Sequence, residues 1–100
     1  MFFLITCRDK PNSAAVRNQH RPAHLEWLKT DGAGVRIGGG LLPADGDGGS
    51  CGSVLLIEAD SLEAARSWAA NDPYAKAGLF AEKNLDNIVP MIGTWVPAQR

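Results

Sequence analysis

The sequence predicts an α+β domain with element order β-α-β-β-α-β, the ferredoxin-like arrangement in which both helices lie on one face of an antiparallel sheet. Three observations point there. Two helical patterns each follow a strand-like run, a glycine-rich turn between them joins two further extended runs into a hairpin, and the chain closes on an extended segment. With 100 residues, 45% of them hydrophobic, the chain supports one core and not two, so a single domain spanning residues 1–100 is expected.

The first strand is Phe2 to Cys7, apolar on both alternating faces, with Phe2, Leu4 and Thr6 on one and Phe3, Ile5 and Cys7 on the other. Asp9, Pro11, Asn12 and Ser13 supply turn and cap chemistry, and helical patterning runs from Ala14 to Thr30 before Asp31-Gly32 ends it. Extended character resumes from Val35 to Leu42, although Gly38-Gly39-Gly40 is poor strand sequence and suggests a bulge or a close approach to the backbone. The turn Asp45-Gly-Asp-Gly-Gly-Ser50 lacks the spacing and closing glutamate of a calcium loop. Ser53 to Glu58 pairs with the second strand as a hairpin. Asp60-Ser-Leu-Glu63 fits a capping box that opens a second helix to about Ala70. Asp72 as cap and Pro73 at the first helical position start a short further turn through Ala77, closed by Gly78. Ala81 to Trp95 reads as extended, with Pro90 restricting it to an edge or a bulge.

Several function classes recede on composition. Ten basic residues against eleven acidic, with no block of like charge, offer nothing to nucleic acid or an anionic membrane. The apolar start is too short for a leader and no run approaches a membrane span, so a cytoplasmic setting is expected, with Cys7 and Cys51 as two free thiols and a disulfide or metal pair as the alternative. No metal-ligand spacing, dinucleotide fingerprint or nucleophile elbow is present, which leaves no metal and no cofactor to expect. Strands that are apolar on both faces need cover on the side away from the helices, and a second copy packed sheet against sheet supplies it, so a homodimer is expected.

A helical wheel of the first helix places Ala23, Val16, Trp27, His20, His24 and Arg17 on its inner half, with Leu28, Arg21, Ala14 and Leu25 beside them. His24 falls near the centre of that half. A buried imidazole needs a hydrogen-bond partner, which a backbone carbonyl satisfies in a structural core histidine and a carboxylate satisfies in a site. Arg17 and Arg21 share the half-face, and two inward guanidiniums either call for an anion, such as the carboxylate, enolate or phosphate of a small ligand, or snorkel along the edge of the stripe, as Arg21 at least can do. Asp72, at the start of the short turn after the second helix, is placed to approach His24, and Tyr74 to offer a phenol to the same cleft or to pack beneath it.

Arg17, the segment Arg21-Pro-Ala-His24-Leu, the segment Ser61-Leu-Glu-Ala-Ala and the segment Asp72-Pro-Tyr-Ala-Lys-Ala-Gly together resemble the YciI-like (YCII-related) family over nearly the whole chain. The resemblance implies a dimeric α+β barrel built from ferredoxin-like units, with His24 and Asp72 matching the family's His-Asp active-site pair. One branch of that family is a dehydrochlorinase of a chlorinated hydroxyhydroquinone, and muconolactone isomerases share the wider fold. Leu41 departs from the proline that many relatives carry after the second strand's glycine. The expectation is therefore a cofactor-independent lyase or isomerase in which His24 and Asp72 move a proton on a small anionic or enolisable ring substrate, with Arg17, Arg21 and Tyr74 binding it. The alternatives are a non-catalytic binding dimer that uses the same pocket for an anion, and a structural dimerisation domain.

Overall fold

The computed structural model describes residues 1–46 and 48–95; Asp47 of the glycine-rich turn lies outside the described residues. Among the described residues seven elements follow one another: β1 (Phe2–Asp9), α1 (Ala14–Asp31), β2 (Val35–Leu41), β3 (Gly52–Glu58), α2 (Leu62–Ala70), α3 (Pro73–Lys76) and β4 (Phe80–Ile88). The sheet runs β2-β3-β1-β4 with every neighbouring pair antiparallel, which is the ferredoxin-like α+β order expected.

Period-two alternation decides what the helices cover. The cross-strand pairs Phe3 with Ile57 and Ile5 with Leu55, together with Cys7, face inward and pack against Ala65 and Ala69 of α2. Burial pushes the Cys7 thiol up from its ordinary 9.0 to about 11. On the opposite face Phe2, Leu4, Thr6, Val54 and Leu56 are only half-buried.

The α1 helix continues unbroken through Pro22, and its buried residues are Arg17, His24 and Trp27. This stripe is narrower than the wheel suggests, because Arg21, Ala23 and Leu25 are exposed. The flank that carries Arg21 and Leu25 looks across a cavity at Gly38–Gly40 of β2, which have no side chains with which to cover it. At the far end the Trp27 ring stacks on Trp68 of α2 with centroids 4.3 Å apart, and the Trp68 indole N–H donates to the Asp31 carbonyl at 2.7 Å.

Two sequence expectations need correction. The cap of α2 is Ser61, one residue later than the Asp60 box: its Oγ accepts from the Ala64 N–H at 3.0 Å, and Glu63 serves in the first turn without reaching back. The last strand ends at Ile88 and not at Trp95. Ile88 already faces Phe2, the first residue of β1, so residues 89–95 lie past the end of that strand, and Pro90 lacks the N–H a ladder needs. Val89, Met91, Ile92 and Trp95 are consequently exposed.

Candidate active site

The site forms where α1 passes over α3 and the ends of β1 and β3. Helix α3 exists because Asp72 and Pro73 start it: Asp72 Oδ1 accepts from the Tyr74 N–H at 2.9 Å, Pro73 brings a preset φ and no orphan donor, and Gly78 at φ +73 closes the turn. The same Oδ1 lies 2.7 Å from His24 Nδ1. Asp72 and His24 are 3% and 8% exposed. One carboxylate oxygen therefore caps a helix and fixes an imidazole at once. His24 is bonded to a side chain and not to a backbone carbonyl, and its Nε2 has no hydrogen-bond partner among the described residues. A carboxylate on Nδ1 holds the proton there and leaves Nε2 as the ring's open acceptor.

Nε2 has somewhere to act. His24 lines a cavity of about 250 Å³ between α1 and the edge strand β2. Arg17, Arg21, Leu25 and Leu28 complete the helix wall, Gly38–Gly40 form a wall of backbone, and Ser50, Ser53 and Leu55 supply the rest. A Cβ on Gly40 would lie 2.4 Å from Ser50 Oγ, so glycine there lets the Ser50 hydroxyl fold against the strand. Leu41, the departure noted in the sequence, sits just past this wall, where its carbonyl accepts from Cys51 N at 2.7 Å and from the Cys51 thiol at 3.4 Å.

The two arginines differ. Arg17 is buried and its anion is internal: Nε and Nη2 donate to the two oxygens of Asp9 at 2.7 and 2.8 Å, and Nη2 also donates to Ser53 Oγ at 3.0 Å. The reading in which a ligand supplies the anion is thus revised for Arg17. The bidentate bond to Asp9 holds its proton affinity above the ordinary guanidinium value. Arg21 is exposed at the cavity and makes no hydrogen bond or ion pair among the described residues.

Tyr74 does not line the cavity, and of its two readings the packing one describes its ring. It is 2% exposed and serves as a platform, its ring stacked on the His24 imidazole at 4.1 Å between centroids and 17° between planes, with the Arg17 guanidinium 4.6 Å from its centroid. Burial pushes its phenol up, while Arg17 and Arg21 pull it back. The sequence reading missed Asp9 and Ser53 as parts of the site, although alternation held the signal: Asp9 continues the inward series Phe3, Ile5, Cys7, and Ser53 the series Leu55, Ile57. Among the described residues no group of three or more His, Cys, Asp and Glu side chains is arranged to hold a metal ion.

The YCII-related domain profile matches residues 1–88, which takes in every residue of this constellation. The chain belongs to the YCII-related family. It is 38% identical to Protein YciI of Escherichia coli O6:H1 over 86 residues, covering 80% of this chain and 88% of that protein. An uncharacterised Haemophilus influenzae protein is 36% identical over 88 residues, covering 82% and 90%. Among solved structures, the 5-chloro-2-hydroxyhydroquinone dehydrochlorinase of Burkholderia phenoliruptrix AC1100, in complex with 2,5-dihydroxybenzoquinone, is similar at 39% identity and a TM-score of 0.82, covering 89% of this chain and 94% of that one. A dehydrochlorinase is thus among the proteins whose fold this chain resembles.

Proposed function

We propose that this protein is a cofactor-independent enzyme of lyase or isomerase type, in which His24 Nε2 accepts a proton from a small, enolisable or anionic ring compound. The observation that carries the reading is the buried 2.7 Å bond from His24 Nδ1 to Asp72, which leaves Nε2 open on a cavity. Asp72 orients the ring and stabilises the imidazolium that forms when the proton arrives. The electron pair released on the substrate passes to a ring oxygen as an enolate or phenolate. From that state, return of the proton to another carbon is an isomerisation, and departure of a leaving group with its bonding pair is an elimination.

Size and charge support the substrate class. A cavity of about 250 Å³ falls just below the roughly 300–1,000 Å³ typical of ligand pockets, which suits a single ring. Arg21, which makes no ion pair among the described residues, offers an exposed cation to an anionic oxygen, and the glycine backbone of β2 offers a flat wall. A relative that is a dehydrochlorinase of a hydroxylated ring supports the lyase form. The half-buried outer sheet face, with Leu4, Val54 and Leu56, supports a homodimer formed through that face.

The test is turnover of an enolisable ring-compound panel, including 5-chloro-2-hydroxyhydroquinone, by His24→Ala and Asp72→Asn. Loss in both supports the mechanism, and unchanged turnover in both sinks it. Ligand-dependent thermal shift without product in the unmodified protein would favour a binding module instead.

A further inference from the structure

Ser53 is 4% exposed, lines the cavity beside His24, and its Oγ accepts from Arg17 Nη2 at 3.0 Å. A hydroxyl has one proton and two lone pairs. The guanidinium occupies a lone pair, and the Ser53 hydroxyl makes no other hydrogen bond among the described residues, so its proton is uncommitted. Arg17 is in turn clamped by both oxygens of Asp9, which fixes the direction from which Ser53 is approached. Across the sheet Ser53 pairs with Gly40, which places no side chain opposite it.

We propose that Ser53 is a substrate-contacting residue whose hydroxyl donates to the anionic ring oxygen of the substrate, with Arg17 polarising the donor and Asp9 as the positioning residue behind it. The inference rests on the proton-transfer reading and extends it. The base at His24 creates negative charge on a ring oxygen, and a fixed, buried donor on the same cavity is where such charge is stabilised without reorganisation. Arg17 thus acts on the substrate through Ser53, since its own charge is met by Asp9. The ligand class is an enolate, phenolate or hydroxyquinone anion, not a neutral apolar ring.

Isothermal titration with 2,5-dihydroxybenzoquinone, together with turnover on the ring-compound panel, tests it in the unmodified protein and in Ser53→Ala, Ser53→Thr and His24→Ala. Ser53→Ala is expected to bind roughly 10- to 100-fold more weakly and to turn over more slowly by a similar factor, the loss of one hydrogen bond to a charged group. Ser53→Thr keeps the hydroxyl, so it is expected to stay within about threefold of the unmodified protein, a rescue that a purely structural role does not give. Equal binding and turnover by Ser53→Ala overturns the inference while leaving the His24 reading intact. Turnover retained by His24→Ala overturns the proton-transfer reading, whatever Ser53→Ala does. Absence of binding by the unmodified protein overturns the ligand class and the inference with it.

Discussion

Asp72 Oδ1 carries two bonds, one to His24 Nδ1 and one to the Tyr74 N–H, and removing the carboxylate by degrees separates them. Asp72→Ala deletes both. A lost helix cap costs about 1 kcal/mol and a lost buried hydrogen bond to a charged group about 1.5–3 kcal/mol, so a total of about 2.5–4 kcal/mol is expected. In a domain of this size that lowers Tm by about 10–30 °C. Asp72→Asn keeps an oxygen for both donors and loses only the charge. Its stability should fall by less than about 1 kcal/mol, while turnover drops by about 10²–10⁴-fold, the range a general base commands. Thermal unfolding read with steady-state turnover on the ring-compound panel measures both. Asp72→Ala as stable as Asp72→Asn would refute the double role, and Asp72→Asn at full turnover would refute the orienting one.

Asp9→Ala leaves the Arg17 guanidinium buried without its counter-ion and should cost about 3–5 kcal/mol in urea unfolding, most of it recovered in Asp9→Ala with Arg17→Met. Breaking the exposed pair of Arg36 and Glu58 should cost about 0–1 kcal/mol, and a cost equal to that of Asp9→Ala would contradict this ordering. The Cys7 thiol and the Tyr74 phenol are both raised by burial, so above pH 9 the unfolded chain releases protons that the folded chain keeps. Stability is then full below about pH 9 and falls as pH rises toward about 11, which urea midpoints across that range will show; a flat profile contradicts it. Leu56→Glu, on the outer sheet face, should convert the proposed dimer to a monomer by sedimentation while leaving the helix-covered core in place; an unmodified protein that already sediments as a monomer contradicts the dimer.

The parts of the site set by local rules were legible in the sequence. The phase of the first helix turned His24 inward, and Asp72-Pro73 announced a helix start with Asp72 as its cap. What pairs with what across the sheet was not. Arg17 called for an anion, and nothing in the spacing distinguished Asp9 from a turn residue until β1 was seen to run two residues past Cys7 and carry its alternation to that side chain. The limit of the last strand was equally non-local, since it is set by where β1 begins. Arg21 and Leu25 read as inward on a wheel because the wheel assumes a covered flank, whereas the glycines of β2 leave that flank facing a cavity.

Chemical rescue tests the central claim most directly. In His24→Ala the truncated side chain leaves room beside Asp72 for a free imidazole, which Asp72 can hold as it holds the native ring. Turnover on the ring-compound panel should fall by about 10²–10⁴-fold in His24→Ala and rise in proportion to added imidazole. Turnover that survives in His24→Ala without imidazole would contradict a proton transfer centred on His24.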